Sequence, residues 1–384
     1  MGSMFTQQEL LRYSRQILLP DLKLEGQQKL KSGSVLVIGA GGLGSPALYY
    51  LTAAGVGRIG IVDFDTVDVS NLQRQILYDS KDIAKPKTIK AQERLEALNP
   101  HVKIEIHQCI LNSENAMDIV ANYDVVIDGS DNLPTRYLVN DACVLLKKTL
   151  IYGAIFQFEG QVSVFNELLD DGTRSPNYRD LFPDPPPPEM VPSCSVGGVM
   201  GVLPGIIGSM QANEAIKVLA GIGKTLNGRL LLFDSLDFTI RFLNIRRNPD
   251  NPVSGNKPTI HALIDYEEFC NPYHNENDNK LKEVTPIEVK KMVDEGIEIQ
   301  IIDVREPLEF DLVNIGGLNI PLKNIESQIA LIQRHIPVIV HCKSGGRSVL
   351  AIAKLQQHGF SNLLNMSGGI LRWIDDVDQE LMRY

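Results

Sequence analysis

Residues 34–44 read Ser34-Val-Leu-Val-Ile-Gly-Ala-Gly-Gly-Leu-Gly44, and residues 58–63 read Arg58-Ile-Gly-Ile-Val-Asp63. The first is an apolar run that ends in glycines. A helix-like stretch over 45–54 comes next, and the second apolar run closes on an acid. Strand, glycine turn, helix, strand and acid in that order predict a parallel βαβ unit. Further strands are predicted at 103–107, 125–128 and 150–153, with helices between them. The alternation over 160–166 suits an antiparallel strand, so the sheet is expected to be mixed. Residues 4–32 read as helical, and helical patterning resumes over 200–220.

Residues 246–282 change character. Asn248, Asn251, Asn256, Asn271, Asn275, Asn277 and Asn279 alternate with Pro249, Pro252, Pro258 and Pro272. That composition predicts an interdomain linker. A second α/β rhythm begins after it, with a helix start at Thr285, strands at 299–304, 338–341 and 363–364, and a helix over 347–358. The expected division is a first domain over 4–245, a linker over 246–282 and a smaller α/β domain over 283–384.

The 384 residues carry 37 Lys+Arg against 47 Asp+Glu, a formal net charge of −10. An acidic balance argues against a general nucleic-acid binder, which needs clustered positive charge. No run is apolar enough for a membrane helix, and no signal peptide is apparent near the start. The five cysteines are odd in number and scattered, which suits a reducing cytoplasm.

The turn Gly39-x-Gly41-x-x-Gly44 fits a phosphate-binding loop, because glycines admit close backbone approach and a helix N-terminus favours an anion. Asp63 can accept ribose hydroxyls. This much would also serve a nicotinamide-dependent oxidoreductase. Four later pieces serve triphosphate chemistry better: Asp63-Phe-Asp65, then Ser70-Asn71-Leu72-Gln73-Arg74-Gln75, then Lys87 after Pro86, then Ser130-Asp131-Asn132. Cations neutralise phosphate oxygens and a carboxylate can hold Mg²⁺. Hydride transfer requires neither.

These pieces, with Arg12-Tyr-Ser-Arg15-Gln16, Gly42 and Phe158-Glu159-Gly160-Gln161, resemble the MoeB/ThiF family of ubiquitin-activating-enzyme-like adenylyltransferases. The resemblance implies a Rossmann-like adenylation domain that binds ATP and Mg²⁺. It implies that Gly42, Asp63, Asn71, Arg74, Lys87, Asp131 and Asn132 surround the nucleotide, with Asp131 as the metal-contacting carboxylate. It further implies a homodimer in which Arg15 reaches the partner subunit's site. Cys194, in Pro192-Ser-Cys-Ser-Val-Gly-Gly198, sits where a family cysteine can attack the acyl-adenylate or form an acyl-disulfide link.

In the second domain, Ile339-Val-His-Cys342-Lys-Ser-Gly-Gly-Arg347-Ser348 predicts a strand, a cysteine, a tight loop and a helix. Lys343, Ser344, Gly345, Gly346 and Arg347 form a cradle that would stabilise an anion on Cys342. With Ile302-Asp303-Val304-Arg305-Glu306-Pro307 and Met366-Ser-Gly-Gly369, the segment resembles rhodanese, which implies a persulfide on Cys342. The two together resemble the fused adenylyltransferase–rhodanese type (MoeZ/MoeBR). That implies a ubiquitin-like sulfur carrier with a C-terminal Gly-Gly as partner, and a sulfur donor such as a cysteine desulfurase or thiosulfate. The alternative is an adenylyltransferase whose rhodanese domain only docks or regulates. Many relatives hold a structural zinc with two Cys-x-x-Cys pairs. Here Asn177, Asp180, Asn251 and Ser254 take those places, so zinc is expected to be absent.

Overall fold

The computed structural model describes residues 5–186, 198–270 and 281–383. The chain forms two compact units, residues 1–275 and 276–384. Among the described residues no helix is long and apolar enough to cross a membrane.

The first unit opens with α1 (Gln7–Ile17) and α2 (Lys23–Ser32). A capping box between Thr6 and Glu9 starts α1. The helical stretch expected over 4–32 is interrupted between them, where Pro20 withdraws a backbone donor and Lys23 takes a positive φ of 54°. Then come β1 (Ser34–Ile38), α3 (Gly44–Ala54), β2 (Arg58–Val62), α4 (Lys87–Leu98) and β3 (Lys103–His107). Next are α5 (Ala116–Ala121), β4 (Val125–Asp128), α6 (Leu133–Leu145), β5 (Thr149–Phe156) and β6 (Glu159–Phe165). The unit finishes with α7 (Tyr178–Leu181), α8 (Val202–Ala220), β7 (Arg229–Asp234), β8 (Thr239–Asn244) and α9 (Tyr266–Cys270).

Its sheet runs β3-β2-β1-β4-β5-β6-β7-β8. Strands β3 to β5 are parallel, and β5 to β8 pair antiparallel, so the expected mixed sheet is present. Every residue of β1 is buried, as a central parallel strand covered on both faces must be. The strand order reverses between β1 and β4, and the crevice beyond their carboxyl ends is where such sheets bind ligands.

The linker expected over 246–282 is corrected for its described part. Residues 246–270 fold onto the first unit. Tyr266 and Cys270 join an apolar cluster with Tyr137, Tyr152 and Phe165. Ser113 Oγ donates to the Ile264 carbonyl at 2.6 Å. The asparagines build turns and side-chain hydrogen bonds in place of a free tether. The four positions at which zinc thiolates are missing come together here. Asn177 Nδ2 donates to Ser254 Oγ at 2.7 Å, and Asn251 Nδ2 donates to Asp180 Oδ1 at 2.8 Å. Asp180 Oδ1 also accepts from the Asn248 N–H, and Asn251 Oδ1 accepts from the N–H groups of Val253 and Ser254. Asn177 and Asn251 are buried, so their polar atoms are spent on one another.

The second unit contains β9 (Glu283–Val284), α10 (Pro286–Asp294), β10 (Gln300–Asp303), α11 (Pro307–Leu312) and β11 (Leu318–Asn319). It continues with β12 (Val338–His341), α12 (Gly346–Gln357), β13 (Leu363–Met366) and α13 (Gly369–Asp376). The strands form one parallel sheet in the order β11-β10-β12-β13-β9. The buried strand β12 leads directly into Cys342.

One buried ion pair ties α6 to α7 and α9. Arg179, 1% exposed, makes two 2.8 Å hydrogen bonds to Asp141, and Tyr266 Oη donates to the same carboxylate at 2.8 Å. Removing one partner leaves an uncompensated buried charge, which costs about 3–5 kcal/mol. Asp141→Ala is therefore expected to lower the first unit's stability by about that much in a urea titration followed by circular dichroism. Trp373, the chain's one tryptophan, reports the second unit separately by fluorescence.

Candidate active site

The β1–α3 turn is shaped by contacts that no side chain could share. Gly39 adopts φ +86°, and a Cβ on it would lie 2.9 Å from the Gly129 carbonyl. A Cβ on Gly44 would lie 1.9 Å from the Gly39 carbonyl. The turn is thus closed tightly against the β4 end, and the α3 N-terminus faces the crevice. Asp63 locks the other wall. Its carboxylate accepts the Ala40 and Asp65 N–H groups, each at 2.8 Å. Burial pushes the Asp63 carboxyl above its usual value, although Lys87 and the two N–H groups oppose that.

A cleft of about 630 Å³ opens between these walls. Gly39, Gly41, Gly42, Asp63, Asp65, Arg74, Lys87, Asp131 and Asn132 come together along it. Lys87 is buried and its ammonium reaches Asp65 Oδ2 at 2.9 Å. Arg74 is steadied by a 3.0 Å hydrogen bond from Nη1 to the Ser70 carbonyl. Ser70, Asn71, Leu72 and Gln73 do not line the cleft. Asn71 Oδ1 accepts from the Asp68 N–H, and the short 3₁₀ turn over 69–71 carries Arg74 into place. Gly44 closes the loop from behind. Asn132 caps α6 by accepting the Thr135 N–H at 2.9 Å, which leaves Asp131 exposed on the cleft wall. Arg15 is exposed on α1 and does not line this cleft. Cys194 lies outside the described residues.

Four further residues shape the cleft; apart from Gln75, which ends the run 70–75, the chain pattern did not single them out. Gln75 is buried, and its Oε1 has no hydrogen-bond partner among the described residues. Arg136 approaches the fully buried Asp128 at 3.6 Å and sits 5.3 Å from the Tyr152 ring centroid. Tyr152 in turn donates to Gln161 at 3.0 Å. Asp128 accepts the Ser130 N–H and hydroxyl, which shapes the turn that presents Asp131. The three other than Gln75 gather only when β5, β6 and α6 pack.

In the second unit Cys342 is buried at the end of β12. The chain turns through Gly345 at φ +110° and enters α12 at Gly346. The Gly345 N–H donates to the Cys342 sulfur at 3.1 Å. One backbone N–H thus meets the sulfur at the N-terminus of α12. Ser344 and Gly346 are exposed on its rim, and Lys343 is half-buried. Arg347 does not simply add a positive charge. It forks onto Glu309 of α11, with Nη1 to Oε2 at 2.6 Å and Nη2 to Oε1 at 2.8 Å. Behind it Arg305 and Asp303 form a fully buried pair, and Arg305 Nη2 donates to the Val313 carbonyl at 2.7 Å, which anchors the end of α11. Cys143 and Cys270 are also buried, and burial pushes the Cys270 thiol up to about 12, a poor nucleophile.

The ThiF family matches residues 13–253, and the rhodanese-like domain matches residues 285–376. Over 388 residues the chain is 43% identical to a Mycobacterium tuberculosis protein named probable adenylyltransferase/sulfurtransferase MoeZ, covering 100% of this chain and 97% of that one. It is 57% identical over 266 residues to the sulfur carrier protein adenylyltransferase of Thermus thermophilus, covering 69% of this chain and 98% of that one. It is 40% identical over 394 residues to the adenylyltransferase and sulfurtransferase MOCS3 of Aedes aegypti, covering 98% and 89%. Among solved structures, Escherichia coli MccB with ATP aligns at 21% identity and a TM-score of 0.53, covering 64% of this chain and 74% of that chain. That last likeness is one of fold.

The Glu309–Arg347 fork has a pH signature. Burial raises the Glu309 carboxyl, but the Arg347 hydrogen bonds, the Glu306 N–H and the fields of Arg347 and Arg305 outweigh it and hold it below the usual glutamate value. A depressed acid contributes stability that is complete above its unfolded value and is lost as pH falls through its folded value. The Trp373 unfolding midpoint in urea is expected to fall as pH drops below about 4.5. Glu309→Gln should lower that midpoint at neutral pH and flatten its fall in acid. An unchanged acid slope would show that this pair does not govern it.

Proposed function

The chain belongs to the ThiF family and carries a C-terminal rhodanese-like domain, and from that premise we propose that it activates a ubiquitin-like sulfur carrier and then sulfurates it. It is an adenylyltransferase/sulfurtransferase by kinship with relatives that align along nearly its whole length. The observation that carries the reading is the pairing, in one chain, of a phosphate cleft walled by Lys87, Arg74 and Asp131 with a cysteine held in an N–H cradle.

In the proposed reaction, ATP binds with its ribose toward Asp63 and its phosphates toward the α3 N-terminus. A carboxylate oxygen of the carrier's C-terminal glycine attacks the α-phosphorus. The bond to the bridging oxygen of pyrophosphate breaks, and an acyl-adenylate remains. Lys87 and Arg74 neutralise charge that grows on the phosphate oxygens. Mg²⁺ would be held by one carboxylate and the substrate's phosphates. Asp131 would hold that ion, which would supply further charge neutralisation. Arg15, exposed on α1, is assigned to the partner subunit's site in a homodimer.

The rhodanese-like unit supplies the sulfur. The Cys342 thiolate takes a sulfane sulfur from a donor such as thiosulfate or a desulfurase persulfide, and the donor's remaining fragment leaves with the electron pair. The terminal sulfur of that persulfide attacks the carrier's carbonyl, and AMP departs. A thiol reductant then breaks the sulfur–sulfur bond, releases the carrier thiocarboxylate and becomes part of a disulfide. Cys194 is a candidate for that reductant or for an earlier acyl carrier. A reducing cytoplasm suits this chemistry.

Structural zinc has no place in this reading. The Asn177, Asp180, Asn251 and Ser254 side chains hydrogen-bond to one another, and two amides, one carboxylate and one hydroxyl are a poor substitute for the Cys and His ligands of a tetrahedral structural zinc. Elemental analysis is expected to find no stoichiometric zinc, and a chelator should leave the melting temperature unchanged. One zinc per chain would overturn this.

The carrier's intact mass tests the main reading. Incubation with ATP, Mg²⁺ and a sulfur donor should add ~16 Da by exchange of oxygen for sulfur. Cys342→Ala should keep carrier-dependent pyrophosphate release and lose the mass gain. Lys87→Ala should slow both by about 10²–10³-fold. A full mass gain with Cys342→Ala would reduce the second unit to a docking module.

A further inference from the structure

The Cys342 sulfur has a second polar neighbour that the loop sequence does not announce. Ser348 lies in the first turn of α12 and is fully buried. Its Oγ stands 3.6 Å from Cys342 Sγ, 2.7 Å from Asn365 Oδ1 and 2.7 Å from the Gly345 carbonyl. A serine hydroxyl has one proton, so it can donate to only one of these three acceptors at a time. Asn365, on the adjacent strand β13, is also buried. Its Nδ2 donates to Glu283 Oε1 on β9 at 3.2 Å, which turns its oxygen toward Ser348.

The competition depends on the charge of the sulfur. A neutral thiol or thioether sulfur is a weak acceptor, and two oxygens at 2.7 Å outcompete it. A thiolate is a charged acceptor, and hydrogen bonds to charged groups are roughly twice as strong. Turning the Ser348 O–H bond about Cβ–Oγ moves the proton from the oxygens to the sulfur without moving a heavy atom.

We propose that Ser348 is a switchable hydrogen-bond donor to the Cys342 sulfur, and that Asn365 holds the hydroxyl proton while that sulfur is neutral. The inference rests on the reading of Cys342 as the sulfur-carrying residue and adds a residue pair to its machinery. Ser348 supports Cys342 when it is a thiolate, which is the form that attacks the sulfane sulfur of the donor. Asn365 acts through Ser348 and is a positioning residue.

Other charged groups also face the loop. Lys343 and Arg347 lie on the loop and α12, Glu309 comes from α11, and Glu283 comes from β9. His341 and the Asp303–Arg305 pair lie on β12 and beside β10. Ser348→Ala alters none of these; Asn365→Leu also removes the hydrogen bond from Asn365 Nδ2 to Glu283, so Ser348→Ala is the variant that isolates the hydroxyl.

The test is the pH profile of Cys342 alkylation by iodoacetamide in the full chain, read by mass on the Cys342 peptide. In Ser348→Ala the midpoint should move up by about one pH unit, and sulfur loading from thiosulfate near neutral pH should fall about tenfold. In Asn365→Leu the hydroxyl keeps only the Gly345 carbonyl as a competing acceptor, and the midpoint should move down. Opposite signs are the signature, because a merely structural role would disturb both variants alike. An unchanged midpoint in Ser348→Ala overturns the proposal, whatever Asn365→Leu shows. The alkylation readout needs no carrier, ATP or sulfur donor. If wild-type chain takes no sulfur from any donor, the sulfurtransferase reading fails while the hydroxyl's role is still measured.

Discussion

Both chemical sites depend on one constraint: a buried parallel strand must end in a turn that glycine makes possible, by close approach in the first unit and by a positive φ in the second, so that the next helix presents its N-terminus there. In the first unit the Gly39 carbonyl approaches Gly44 so closely that a Cβ there would lie 1.9 Å away. In the second, Gly345 at φ +110° brings its N–H to within 3.1 Å of the Cys342 sulfur. The free N–H groups and the positive end of the helix dipole do the same physical work twice. The residues at the two turns differ: the first carries no acid, and the second follows directly on a cysteine.

The cations around each site are held in place by carboxylates. Lys87 leans on Asp65, and Arg347 forks onto Glu309. A buried or half-buried cation without a partner would be costly, so pairing keeps the charge in position before a ligand arrives. The two pairs then differ in consequence. Lys87 is a point charge that can be shared with phosphate oxygens. Arg347 is bound in a two-pronged geometry that ties α11 to α12 and makes it a brace of the cysteine loop.

Much of this was legible along the chain. The run 34–44, the acid at Asp63 and the strands at 58–62, 103–107 and 125–128 are local patterns, and local patterns survive folding into a buried sheet. The cleft residues Asp65, Arg74, Lys87, Asp131 and Asn132 come after those strand ends, so their convergence is a consequence of topology. Three things were not legible. The β7–β8 hairpin lacks alternation because all of β8 is exposed. The proline-and-asparagine stretch 246–270 reads as a tether by composition, and only Asp141, Arg179 and Tyr266, distant in sequence, show that it is bound. Ser348 and Asn365 meet across a helix and a strand, a juxtaposition that no spacing encodes.

The hydrogen-bonded knot at Asn177, Asp180, Asn251 and Ser254 raises a question of energy. A structural zinc contributes to folding outright, at roughly 10 kcal/mol or more in small domains. Neutral hydrogen bonds contribute about 1 kcal/mol each once water is counted, so four or five of them fall well short. The chain just beyond the knot adds apolar burial. Tyr266 and Cys270 are buried among the aromatic residues of α6, β5 and β6, with Leu263, Ile264 and Phe269 partly buried beside them. Arg179 stacks against Tyr137 and Phe269 while it pairs with Asp141. The knot sets where the chain turns, and the aromatic cluster behind it adds the burial.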